Sequence, residues 1–184
     1  MEMELEPHSQ VAIRYTARVP ESATERGYHC ALGFLTLPVE TEQAGTAMRF
    51  AVRMIAALYP TVGKPAVAGS IAGLKLEPVR GATNNAQLAV LTMENSGMAL
   101  YRPSGAVDIV DAGGKVVESV PMLTVPTLPQ RQQRYVMPLK NVLASGSYTL
   151  RARVDVGREI QEASAPVTVD AAAQPSVNAG APAK

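Results

Sequence analysis

Apolar and polar residues alternate with period two along much of the chain. The clearest run is 146–156. Tyr148, Leu150, Ala152, Val154 and Val156 share one face, while Thr149, Arg151, Arg153 and Asp155 share the other. Successive side chains of a strand point to opposite sides of its sheet, so this run predicts a strand with one buried and one wet face. Residues 11–19 follow the same rule, with Val11, Ile13, Tyr15, Ala17 and Val19 opposite Ala12, Arg14, Thr16 and Arg18. They predict a strand closed by Pro20 and the polar run 21–27. Tyr28 to Leu37 is apolar on both faces and is expected to point Tyr28, Cys30, Leu32 and Phe34 inward before Pro38 ends it. Met48 to Tyr59 has a helix-compatible content of Ala, Met, Leu and Arg. Its Phe50, Val52, Met54, Ala56 and Leu58 nevertheless keep period two, and between strands the stretch reads as a strand.

Pro60 to Pro65 places two prolines and a glycine between apolar runs, the composition of a linker. Beyond it, strands are predicted at 71–76, 87–94, 134–139, 146–156 and 159–169, with a turn at Asn95-Ser96-Gly97. A hairpin joins 106–110 to 115–119 across Asp111-Ala112-Gly113-Gly114. Short strands at intervals of about 8–12 residues, separated by turn residues, read as a β-sandwich. Gly146-Ser147-Tyr148 fits the corner of an immunoglobulin-like sandwich, where a tyrosine hydroxyl ties back to the preceding loop. Gly27-Tyr28 echoes it.

The expected organisation is all-β. An incomplete sandwich occupies 1–62, a linker 63–66, an immunoglobulin-like sandwich 67–169, and a disordered Ala/Pro-rich tail 170–184. The first unit offers about four strands where such a sandwich takes about seven, which leaves its inner face uncovered and its edges open.

Composition narrows the chemistry. With 47% hydrophobic and 18% charged residues in 184, the chain can build a real core. A net charge of +1 marks no nucleic-acid binder. The single cysteine, Cys30, allows no intrachain disulfide and no cysteine cluster for zinc. No run reaches the roughly 18 apolar residues of a membrane-spanning helix. Met1 to His8 is acidic and carries no apolar signal-peptide region. His29 and Cys30 suggest a thiol–imidazole pair, but strand neighbours point to opposite faces, so Cys30 reads as a small buried residue and His29 as a surface one. His8 sits in a turn without a carboxylate partner.

Gly113-Gly114-Lys115 lacks the upstream glycine and following Ser/Thr of a phosphate loop. Asp108 and Asp111 lack calcium-loop spacing, and Asp111 reads as a turn former. There is no Gly-x-Ser-x-Gly and no histidine-rich metal cluster. Arg131, Arg134, Arg151 and Arg153 form either a basic strip or a solvated sheet face, and Asp155 in the same row favours the latter. Met48, Met54, Met93, Met122 and Met137 read as core filling rather than an adaptable binding surface. No catalytic residue, cofactor, metal or small-molecule substrate is expected.

Several stretches resemble the periplasmic pilus-chaperone-like (PapD-like) proteins. They are Leu5 to Arg14 with its Pro7 turn, Val19-Pro20-Glu21, Gly27 to Leu32 followed by Leu37-Pro38, and Met48 to Tyr59 followed by Pro60. Glu94 to Gly97, Asp111 to Lys115 and Leu143 to Tyr148 resemble the immunoglobulin-like domain of related bacterial envelope proteins. The resemblance spans most of 3–169 and lies in turns and alternation rather than in a motif. It implies a non-catalytic envelope protein, periplasmic or extracellular, that binds a protein or peptide partner by strand addition. Phe50, Val52, Met54 and Leu58 would form that strand edge, with Tyr28, Gly146 and Tyr148 as structural residues. A structural or adhesive spacer, or the accessory domain of a truncated enzyme, are the alternatives. Pilus chaperones hold a subunit's carboxylate with two basic residues. One lies on a first strand with no counterpart here, and the nearest match to the other is Ala56, so carboxylate capture does not carry over. The absent early strands and signal peptide imply an N-terminally truncated member.

Overall fold

The computed structural model describes residues 3–37, 51–81 and 86–170, and these are all-β. The first unit contains β1 (Arg26–Gly27), β2 (Cys30–Leu35), β3 (Arg53–Leu58) and β4 (Thr61–Val62). The second contains β5 (Gly69–Pro78), β6 (Gln87–Asn95), β7 (Ser104–Asp111), β8 (Val116–Pro121), β9 (Arg131–Pro138), β10 (Gly146–Asp155) and β11 (Ile160–Val169). The seven strands of the second unit form two antiparallel sheets, ordered β5-β6-β9 and β11-β10-β7-β8.

Alternation explains the packing of these sheets. On β10, Leu150, Ala152 and Val154 are buried while Arg151, Arg153 and Asp155 face solvent. They join Val107 and Ile109 of the same sheet and Leu91, Met93, Tyr135 and Met137 of the other in one core cluster, so the sheets form a β-sandwich. Leu91, Ile109, Leu150 and Val154 are wholly inaccessible, and burying each such side chain stabilises the fold by roughly 1.5–3 kcal/mol. β6 is the central strand of its sheet, and its near-continuous apolar run matches burial on both sides.

Polar groups fix the loops. In the β7–β8 hairpin, the Lys115 amide donates to Asp111 Oδ1 at 2.9 Å and the Gly114 amide to the Asp111 carbonyl at 3.0 Å. Gly114 takes φ 84, a conformation that costs glycine nothing. Buried Asn95 donates to the carbonyls of Ala99 (2.8 Å) and Thr127 (3.2 Å) and accepts from the Gly97 amide (3.0 Å). Thr127 Oγ1 meets the Tyr135 hydroxyl at 2.7 Å, and that hydroxyl also reaches the Val125 carbonyl at 3.0 Å. This network ties the β6–β7 connection to the segment between β8 and β9. Burial pushes the Tyr135 phenol above the ordinary value of 10.0, against the opposing hydrogen bond from Thr127.

Two expectations need correction. Residues 11–19 form no strand: alternation sets a face, but a strand also needs a ladder partner, and this segment has none among the described residues. The junction between the two units carries contacts of its own. Thr61 and Val62 pair with Gly27 and Arg26, Gly63 turns with φ 69, and Glu25 accepts the Lys64 amide at 2.5 Å. Cys30 is exposed rather than buried, at the first position of β2. The segment 171–184, Met48 and Phe50 lie outside the described residues.

Candidate functional site

The site is the β2–β3 hairpin and the arm that precedes it. Its base is fixed to the sandwich. The Gly27 amide donates to the Met98 carbonyl at 2.7 Å, and the Tyr28 amide to the Pro60 carbonyl at 2.8 Å. A Cβ on Gly27 would stand 3.1 Å from the Leu100 amide nitrogen, so glycine permits the close approach. The Arg102 guanidinium lies 5.4 Å from the centre of the Tyr59 ring, a cation–π contact between the units. Tyr28 donates its hydroxyl to the Thr24 carbonyl at 3.1 Å, and Tyr148 donates to the Ala144 carbonyl at 3.0 Å. Each tyrosine ties back four residues, after the glycines at 27 and 146.

Beyond this base the two hairpin strands pair with no other described strand. One face carries Cys30, Leu32, Phe34, Met54, Ala56 and Leu58; the other carries Ala31, Gly33, Leu35, Arg53, Ile55 and Ala57. Of these twelve residues only Arg53 is charged. Strands apolar on both faces belong inside a sheet covered on both sides. Here Leu35 is 60% exposed, Met54 56% and Ile55 64%. The ladder continues through Thr36, whose hydroxyl accepts the Val52 amide at 2.8 Å while its own amide donates to the Val52 carbonyl at 3.0 Å. The outer edges of β2 and β3 pair with no described strand, and this leaves donors and acceptors available to an added strand.

Among the anticipated edge residues, Val52 lies just before β3 and is exposed, Met54 is exposed, and Leu58 is half-buried near the base. All three share one face with Leu32 and Phe34. The opposite face, with Leu35 and Ile55, was not anticipated. Its signal is the near absence of charge in Cys30–Leu35 and Arg53–Leu58.

The arm, residues 3–24, contains no strand, and Val11, Ile13, Tyr15 and Val19 are 42–56% exposed. A turn at its junction with β1 joins the Ala23 amide to the Pro20 carbonyl at 3.0 Å. The exposed apolar side chains of the hairpin are the kind of surface that marks a contact site.

The remaining candidates separate. His29 and Cys30 are both exposed on a strand end. Met93, Met122 and Met137 fill the core, whereas Met54 does not. Arg151 and Arg153 lie on β10 and Arg131 and Arg134 on β9, in different sheets. Arg153 faces Glu162 at 3.3 Å and Arg134 faces Glu77 at 3.0 Å, so no basic strip unites the four. Among the described residues no group of three or more His, Cys, Asp or Glu could hold a metal, and no helix is long and apolar enough to cross a membrane. Comparison with protein-family models, curated proteins and solved structures found no match.

Proposed function

We propose that the protein is a non-catalytic, polypeptide-binding protein of a bacterial envelope that takes up a partner strand at the open edge of β3. The observation that carries this reading is a hairpin with two apolar faces and unpaired outer edges, held by its base against a folded sandwich. Main-chain hydrogen bonds would supply affinity and the apolar faces would select alternate side chains. The second unit supports an immunoglobulin-like reading through its three-on-four strand order and its tied tyrosine. In this reading it is the platform that carries the hairpin. The envelope location, periplasmic or extracellular, rests on the chaperone-like resemblance.

The test is binding of a fluorescent nine-residue peptide of alternating valine and threonine, read by anisotropy. The intact chain binds, and Met54→Asp or Val52→Asp weakens binding at least tenfold, about 1.4 kcal/mol. Methylating alternate peptide amides removes ladder donors and abolishes binding. Equal affinity for the methylated peptide rules out strand addition, and absence of binding by either peptide favours a spacer.

A further inference from the structure

We propose that the strand completing the hairpin is residues 11–19 of a second copy of this chain, exchanged reciprocally. This rests on the strand-addition reading above and names its partner. Three observations meet. First, 11–19 has the period-two pattern of a half-buried strand, yet it pairs with no described strand and its apolar side chains are exposed. Second, the hairpin lacks the neighbours that its composition requires. Its six-residue strands span about 20 Å and a nine-residue arm about 30 Å, so one arm covers a full edge including the Thr36–Val52 pair. Placed there, the arm lays Val11, Ile13, Tyr15, Ala17 and Val19 along one apolar face and turns Arg14 and Arg18 to solvent.

Third, the arm forms no ladder with its own hairpin. The turn at Pro20–Ala23 and the pairing of Arg26–Gly27 with β4 set the route between arm and β2, and few residues remain free to reverse the chain. A second copy has no such constraint. Reciprocal exchange gives a two-fold, self-complementary interface that closes without forming fibres. Nine arm residues and twelve hairpin residues put 21 on each side, within the roughly 20–30 of a stable interface.

The experiment is light scattering on the full chain, with the double variant Ile13→Asp/Tyr15→Asp alongside. Neither residue belongs to the core cluster, and unchanged cooperative urea unfolding checks that the sandwich persists. The intact chain is expected at twice its 19.4 kDa mass and the variant at that mass. A labelled peptide of residues 9–20 then binds the monomeric variant, whose hairpin is intact. A monomeric intact chain overturns the proposal, whether amides 11–19 exchange freely or are protected by pairing in cis. A dimer that survives the double substitution overturns it as well. If the 9–20 peptide fails while the valine–threonine peptide binds, only the identity of the donor is wrong. If neither binds, strand addition falls with it.

Discussion

Tyr28 and Tyr148 do the same thing at the start of two strands whose fates differ. Each hydroxyl bonds the carbonyl four residues back, and each is followed by an alternating or apolar strand. After Tyr148, Leu150 and Val154 are fully buried. After Tyr28, Leu35 remains 60% exposed. The difference lies in the neighbours. β10 has β7 on one edge, β11 on the other and a second sheet over its apolar face. β2 has β3 alone. Local chemistry selects the conformation of a strand, while burial comes from chain segments far away in sequence. An isolated two-stranded hairpin is at best marginal in water. The contacts of Gly27 with Met98 and of Tyr59 with Arg102 therefore do for β2–β3 what a sheet does for β10.

The sharpest way to break this comparison is truncation on each side of it. Leu150→Ala should cost about 2–5 kcal/mol in urea unfolding, because it leaves a cavity in a closed core. Ile55→Ala, made on isolated monomer, should stay within about 0.5 kcal/mol, as for other exposed positions. Equal losses would mean that the hairpin is covered in the monomer.

Next in size, Asn95→Ala should cost about 1–3 kcal/mol, since it leaves the Ala99 and Thr127 carbonyls and the Gly97 amide without their buried partner. The measurement is the same urea midpoint. A neutral result would show that water replaces the asparagine.

The tyrosine pair sharpens the comparison directly. Tyr148→Phe should lower sandwich stability by about 0.5–1.5 kcal/mol, the net worth of one hydrogen bond. Tyr28→Phe should leave the global transition unmoved and instead speed amide exchange at β1 and β2, where opening is local. A shift in the global midpoint on Tyr28→Phe would make the two units one cooperative body.

The smallest effect is alkaline. Burial raises the phenols of Tyr101 and Tyr135 above their ordinary 10.0 in the folded sandwich. The folded state then holds protons that the unfolded chain releases, so the contribution is complete below pH 10.0 and is lost as pH rises through the folded values. Tyr135→Phe should flatten that decline in a melting series above pH 10.0, while hairpin variants leave it unchanged.

Much of the second unit was readable because its determinants are local. Asp111 and Gly114 build their turn from their own backbone, and the face of 146–156 follows from period two. The Tyr148 tie-back needs only a four-residue reach. What was not readable depends on neighbours. Alternation at 11–19 fits a paired strand and an unpaired arm equally well. Cys30 is a small apolar residue in an apolar run, yet it is exposed at the first position of β2. Among the described residues the first unit holds the β2–β3 hairpin and the short β1–β4 pair, and placing Leu35 and Ile55 together on one face needs the register of that hairpin. Tyr28 to Leu37 is apolar on both faces, and nothing local tells which face finds cover.

The anchor at Gly27 has a consequence during synthesis. Its acceptor, the Met98 carbonyl, lies 71 residues further along the chain. At about 5–20 residues per second, translation leaves an interval of roughly 4–14 s between the two. Both hairpin strands are complete at Leu58, 40 residues before that acceptor, so they are made before the sheets that will hold them exist. The nascent chain thus presents its most aggregation-prone segment first and secures it last, so slowing translation before residue 98 should raise its demand for chaperone protection.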